Sequence, residues 1–153
     1  MMKLLRSIFC CSFALCSAAS LAADPLQFDC RRTERDYTED YVLVIVPASK
    51  TQAKPRIYLD GRDLDQSDAG GHQSVKNVVI TNTSILISIE AHFDPEVTNG
   101  VSYPAGMVST QIVLNRATGQ LKKIETISGG ILGATVGEGT KSYEEQCASS
   151  KLN

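Results

Sequence analysis

The stretch that decides the fold is VKNVVITNTSILISIEAHF, residues 75–93. From residue 85 onward the odd positions are apolar, and the even positions from residue 88 are polar. Alternation with a period of two, rich in β-branched side chains, is typical of a half-buried antiparallel strand with one face towards the core. The apolar positions are Ile85, Ile87, Ile89, Ala91 and Phe93. We therefore predict an all-β protein.

Two segments on the N-terminal side also have the composition of strands. Residues 41–46, YVLVIV, are apolar on both faces, which is typical of a buried central strand, and Pro47 ends it. Residues 24–30, DPLQFDC, alternate so that the cysteine would face inwards. Asp24 followed by Pro25 also fits the start of a helix, and that alternative stays open here.

Two hairpins are predicted in the second half of the chain. The first joins residues 75–80 to residues 84–93 through a short polar turn. The second joins residues 107–114 to residues 121–127, and its turn places Gly119 where a positive φ is needed.

Four segments have the composition of connections: 31–40, 61–73, 94–104 and 128–139. The first mixes charges of both signs, which indicates a solvated loop or a strand edge. The second contains three Asp but lacks the Gly and Glu of an EF-hand, so we expect a solvated turn. The third has turn residues and enough length for a binding loop. The fourth is dense in glycine, so we expect a bent strand or a mobile loop.

A short C-terminal helix is allowed by the last part of the chain. Ser142 and Glu145 have the spacing of a capping box, in which each side chain bonds the backbone amide of the other residue. On such a helix Cys147 would share a face with Tyr143, one turn earlier.

Residues 1–23 have the pattern of a secretory signal peptide, with Lys3 and Arg6 before an apolar stretch and small residues before the cleavage site. We expect cleavage before Ala23 or Asp24. A retained membrane anchor is the alternative, but the apolar stretch is shorter than the roughly 20 residues that span a bilayer. We therefore expect residues 24–153 to form a single exported domain, and we favour the bacterial periplasm over other secretory compartments.

The mature chain is mildly acidic. Lys3 and Arg6 belong to the leader, so 13 Lys and Arg remain against 17 Asp and Glu, a formal charge of −4. No basic patch that would neutralise phosphates stands out, which argues against nucleic acid as a partner. Membrane contact is expected only through the leader.

Cysteine usage predicts one disulfide. Cys10, Cys11 and Cys16 lie in the leader, which leaves Cys30 and Cys147 in the mature chain. Two cysteines in an exported protein favour a bond between them. A pair of free thiols and an intermolecular bridge are the alternatives. Two thiols this far apart, without a nearby pair of histidines, do not predict a metal site.

Glu90, His92 and Asp94 are the clustered residues with chemical potential, since a period of two places them on one face of the predicted strand. They could hold a divalent metal or form an acid–base pair. The alternative, which we favour, is an ordinary solvated strand face. No nucleophile elbow is present, and both mature cysteines are assigned to the disulfide.

The loop that follows this strand is the predicted binding region. His92 and Asp94 lead into it, and Glu96, Asn99 and Tyr103 lie within it. Exposed loops next to a rigid sheet commonly carry binding residues.

We therefore expect a small antiparallel β-meander of six to eight strands, closed as a barrel or a sandwich. The expected function is that of an exported, non-enzymatic module that binds a protein partner, in the manner of an inhibitor or immunity protein, without a cofactor. A periplasmic carrier of a small apolar ligand is one alternative. A metal-dependent enzyme that uses Glu90, His92 and Asp94 is the other.

Overall fold

Strands dominate the described part of the chain. A computed structural model describes residues 24–151, so the predicted signal peptide lies outside the described residues. Strands make up 67% of the structure, with one short helix. The all-β prediction is confirmed.

Within residues 24–151 the chain forms twelve strands and one helix. The first six strands are β1 Leu26–Glu34, β2 Tyr37–Val46, β3 Arg56–Leu59, β4 Arg62–Asp63, β5 Gln66–Asp68 and β6 Gly71–Ile80. The remaining elements are β7 Ser84–Phe93, β8 Glu96–Thr98, β9 Val101–Tyr103, β10 Gly106–Asn115, β11 Gln120–Gly129, α1 Gly130–Val136 and β12 Gly139–Ser150.

Ten of these strands form one antiparallel sheet, in the order β4-β3-β2-β1-β12-β11-β10-β7-β6-β5. Its two edge strands, β4 and β5, are separated along the chain only by Leu64 and Asp65, so the edges must lie side by side. The Leu64 carbonyl accepts a hydrogen bond of 3.0 Å from Gln73 Nε2, and Asp65 Oδ1 accepts one of 2.8 Å from the amide of Val75. The sheet is therefore nearly closed into a barrel.

The first and last strands, β1 and β12, are neighbours in this barrel. Cys30 lies directly opposite Cys147, and the two are joined by a disulfide, as predicted. The same register places Arg32 opposite Glu145. The bond therefore links two strands that already pair through their backbones.

The inner face of β7 is the one that the alternation predicted. Ile85 and Ile87 are fully buried, and Ile89 is almost so. They belong to one cluster with inward aliphatic side chains of the other strands, among them Leu43, Ile45, Ile57, Leu114 and Leu121. Burying one such side chain contributes about 1.5–3 kcal/mol, so this cluster is the main source of stability.

The prediction of six to eight strands is wrong, because β4, β5, β8 and β9 lie within predicted connections and β12 replaces the predicted helix. Residues 31–40 continue β1 and begin β2 around a tight turn, and residues 61–73 contain β4, β5 and the start of β6. Residues 94–104 contain the separate hairpin β8–β9. Short strands of this kind are specified by pairing with distant neighbours, which local composition does not show.

The predicted C-terminal helix is also wrong, because Gly139–Ser150 forms β12. The strand pairs with β1 on one side and with β11 on the other. Two ladders of backbone hydrogen bonds and the burial of Cys147 outweigh a capping motif at the surface. Tyr143 and Cys147 still share a face, because residues four apart do so in a strand as well.

The prediction of a bent strand or a mobile loop for the glycine-rich segment 128–139 is wrong. β11 continues to Gly129, and α1 follows directly. Gly129 and Gly130 both have positive φ, at 64° and 66°, and a Cβ on Gly106 would lie 2.7 Å from the Gly130 Cα. The glycines therefore allow a sharp turn and a close backbone contact. No helix in the described part of the chain is long and apolar enough to cross a membrane.

Gly119→Ala should lower the free energy of unfolding by about 3 kcal/mol or more, through backbone strain and a steric clash. Gly119 has a φ of 72°, and an added Cβ would lie 1.9 Å from the carbonyl oxygen of Cys147. Gly61→Ala is the control, since Gly61 has a φ of 78° but an added Cβ meets no atom within 4 Å. We expect the control to cost about 1 kcal/mol in urea unfolding. Equal losses in the two variants would contradict the predicted clash.

Reduction of the disulfide should lower the free energy of unfolding by up to about 4–5 kcal/mol, because Cys30 and Cys147 close a loop of almost the whole domain. Urea unfolding with and without reductant measures the change. The double variant Cys30→Ala, Cys147→Ala is the control and should not respond to reductant. A wild-type curve that reductant leaves unchanged would argue against the bond.

Candidate functional site

The two ends of the barrel interior differ in polarity. At the end that carries the β6–β7 and β10–β11 turns, Ile85, Leu114 and Leu121 are fully buried. Towards the other end, where β1, β7 and β11 finish, the inward positions include charged groups, and the Lys123 and Glu125 side chains are 20% and 25% exposed. We call the first the filled end and the second the open end.

Glu145 is the central residue of the open end. It lies on β12 between the inward residues Tyr143 and Cys147, and its side chain is 0% exposed. Its Oε2 accepts a short hydrogen bond from the hydroxyl of Tyr41. Its Oε1 has no hydrogen-bond partner among the described residues. A buried carboxylate oxygen without a partner is costly, so this atom requires an explanation.

The Tyr41 hydroxyl is held as a donor. Burial, together with the hydrogen bond to the Glu145 carboxylate, raises the pKa of Tyr41 above its ordinary value. Ionisation would place a second negative charge beside Glu145 in a partly buried site. Tyr41 therefore remains neutral and donates to Glu145 throughout the physiological pH range.

Lys123 lies between two carboxylates. Its Nζ is 3.4 Å from Glu125 Oε1 and 3.7 Å from Glu145 Oε1. The second distance permits Coulomb attraction but is too long for a hydrogen bond. One ammonium group therefore serves two carboxylates.

The ring of Tyr143 contacts two cations. The Arg32 guanidinium carbon lies 4.2 Å from the ring centroid, and Lys123 Nζ lies 5.0 Å from it. Arg32 also donates hydrogen bonds to Glu34. Cation–π contacts and ion pairs together hold both side chains in place around Glu145.

A cavity of about 270 Å³ lies beside this charged group. Its apolar wall consists of Leu43, Leu59, Leu64, Ile89 and Ile112. A larger depression of about 610 Å³ lies on the outside of β1, β2 and β12, where the Arg31–Asp40 ion pair is exposed. We consider the smaller cavity the better candidate site, because it contains the buried carboxylate.

The structure places the predicted residues Glu90 and His92 on the outer face of β7. Glu90 Oε2 is 3.0 Å from Lys76 Nζ and 3.7 Å from His92 Nε2. The hydrogen bond from Lys76 lowers the pKa of Glu90. The His92 ring stacks on His72, with centroids 4.7 Å apart.

Asp94 does not join these two in a metal site. Its amide donates a hydrogen bond of 3.0 Å to the Gly70 carbonyl, which anchors the end of β7. In the described part of the chain, no group of three or more His, Cys, Asp or Glu side chains could hold a metal ion.

The predicted binding residues Glu96, Asn99 and Tyr103 lie in a hairpin at the open end. We call residues 96–103 the arm. Asn99 and Gly100 form its turn with φ values of 52° and 78°, which is the type I′ geometry favoured by an Asn-Gly pair. Glu96 and Tyr103 are paired at the base of the arm.

Sequence reasoning missed the residues inside the open end: Arg32, Tyr41, Lys123, Tyr143 and Glu145. Two of them could have been found from the predicted disulfide. If Cys30 and Cys147 face each other on antiparallel strands, Arg32 and Glu145 must also face each other, two residues further along. An inward Arg–Glu pair is a sign of a polar interior.

Comparisons with models of known protein families, with curated proteins and with solved structures find no match for this chain. Its function therefore has to be inferred from its own residues. The open end carries both the buried carboxylate and the arm.

Tyr41→Phe should lower the free energy of unfolding at neutral pH by about 1–3 kcal/mol, because it leaves both oxygens of Glu145 without a donor. The raised pKa of Tyr41 also sets a pH dependence. The unfolded chain loses this proton near pH 10 and the native state does not, so the stabilising contribution is complete below about pH 10. Above that pH it falls by about 1.4 kcal/mol per pH unit.

Urea unfolding of wild type and Tyr41→Phe between pH 7 and pH 11 measures this effect. The difference in free energy of unfolding between wild type and Tyr41→Phe should become smaller above pH 10. Tyr37→Phe is the control, since Tyr37 is exposed and should affect neither stability nor its pH dependence. A difference that stays constant over the whole range would show that Tyr41 ionises normally.

Proposed function

We propose that the protein is an exported, non-enzymatic module that binds a protein partner through the arm at the open end of the barrel. Export is supported by the leader pattern and by the disulfide, which is compatible with an oxidising compartment.

The exposure of two valines on the arm carries this proposal. Val97 is 71% exposed and Val101 is 51% exposed. The register pairs Val97 with Ser102 and Val101 with Thr98, so the valines project from opposite faces of the ribbon. Aliphatic side chains on both faces of a projecting hairpin gain little from folding, and their burial by a partner would be favourable.

The backbone of the arm supports the same function. β8 and β9 pair with each other and with no other strand of the described residues. An extended segment of a partner could therefore pair with their outer edges through backbone hydrogen bonds. An extended apolar segment could pair with the edge of the arm through its backbone and bury the valines with its side chains.

The cavity supports a second candidate function, carriage of a small ligand. Its volume of about 270 Å³ and its aliphatic wall would accommodate a small molecule. Drug-sized ligands usually occupy pockets of roughly 300–1,000 Å³, so the ligand would be small.

The proposal predicts that Val97→Glu abolishes partner binding and leaves the barrel folded, because a charge would be buried in the interface. A photo-crosslinking residue at position 101 of the full-length protein, expressed in its native host, should give one major protein adduct. Val97→Glu should remove the adduct. Val113→Glu is the matched control, because Val113 is an exposed valine on the barrel wall, at 42%.

Retention of the adduct in the control and its loss in Val97→Glu supports binding through the arm. Loss of the adduct in Val113→Glu alone would indicate that the partner binds the wall of the barrel and not the arm. Absence of any adduct would contradict the proposal.

A further inference from the structure

The unpartnered oxygen of Glu145 indicates a ligand that donates a hydrogen bond. Glu145 Oε1 is buried and has no hydrogen-bond partner in the described part of the chain, and Glu145 is one of the residues that line the cavity. A ligand donor at this position would remove the cost of the bare oxygen. An acceptor or an anion would increase that cost.

The charges around the cavity favour a cationic donor over a neutral one. The lining contains four carboxylates, Glu39, Asp60, Glu125 and Glu145, and three cations, Arg32, Arg62 and Lys123. Arg32 is bonded to Glu34 outside the lining, and Lys123 is shared between Glu125 and Glu145. Asp60 uses Oδ1 to accept a hydrogen bond from the Val42 amide. The two carboxylates Glu125 and Glu145 thus share one cation, Lys123. One more positive charge beside Glu145 would neutralise these three side chains.

The remaining wall favours an aliphatic body on this ligand. Leu43, Ile89 and Ile112 line the cavity together with Glu145. An ammonium group on a short alkyl chain matches both parts, since its head carries three donors and its chain is apolar.

We propose that the open end of the barrel binds an alkylammonium group, with Glu145 Oε1 as its acceptor. The group is supplied either by a free amine or by a lysine side chain of a protein partner. The site stands on Glu145 and its neighbours and does not depend on the arm.

Ligand titration of the wild-type protein, followed by amide chemical shifts in NMR, tests the proposal without any variant. The probes are n-pentylammonium, n-pentanol and n-pentanoate, which share a chain and differ in the head group. We expect n-pentylammonium to bind at least about tenfold more tightly than the other two, with shifts at Glu145 and Lys123, because the alcohol has no positive charge and the carboxylate has no donor. Equal binding of amine and alcohol, preference for the carboxylate, or no binding of any cation would overturn the proposal.

A second pair of probes separates the two sources of the ammonium group. A capped Ala-Lys-Ala peptide is compared with the same peptide that carries norleucine in place of lysine. Binding of n-pentylammonium but not of the lysine peptide indicates a pocket for free amines. Binding of the lysine peptide alone indicates the side chain of a partner. Equal binding of the norleucine peptide would count against a role for the charge.

Variants on β12 connect the binding to Glu145. Glu145→Gln keeps the shape but removes the charge, and we expect binding of n-pentylammonium to weaken at least about tenfold. Glu144→Gln is the matched control, because Glu144 is the exposed neighbour on the outer face of the strand. Unchanged binding in a folded Glu145→Gln variant would refute the assignment. Val97→Glu should bind the amine like wild type, so the cavity and the arm are tested separately.

Discussion

The pairing of β1 with β12 is the constraint on which the barrel depends. The sheet order places β1 to β4 on one side of this junction and β5, β6, β7, β10 and β11 on the other, beyond β12. Without the junction the chain would consist of two smaller sheets, each with an exposed edge. The disulfide lies within this pairing and links the two strands covalently. Leu64 and Asp65 close the opposite side, because they connect the two outermost strands directly.

Closure into a barrel determines which side chains face inwards, and the chain fills the interior in two ways. At the filled end the inward positions are aliphatic and fully buried, which supplies the stability. At the open end the inward positions of β11 and β12 include Lys123, Glu125 and Glu145. Buried ion pairs seldom stabilise a fold more than apolar residues of the same volume would. The stability of the barrel is therefore supplied mainly by the filled end, and the polar end contributes less to it.

The sequence predicted the features that repeat along one strand and missed those that arise between strands. The alternation from Ile85 specified the inner face of β7, and the need for positive φ specified Gly119. The spacing of Ser142 and Glu145 predicted a helix, because a capping box is a local pattern and pairing with two neighbouring strands is not. Glu145 was therefore assigned to a helix end, although it is the buried centre of the candidate site.

The two ends of the barrel also differ in the elements that connect the strands. At the filled end, the β6–β7 and β10–β11 turns are short, and in them Thr81 Oγ1 and Asn115 Oδ1 accept hydrogen bonds from backbone amides. The β2–β3 connection at that end is longer and folds on itself through Ser49 and Gln52. The open end has the tight β1–β2 turn as well, but there the chain also has the arm between β7 and β10 and α1 between β11 and β12. Binding surfaces are commonly built from connecting segments of this kind. The added elements and the unfilled interior thus lie at one end, where a partner that contacts the arm would also be near the cavity.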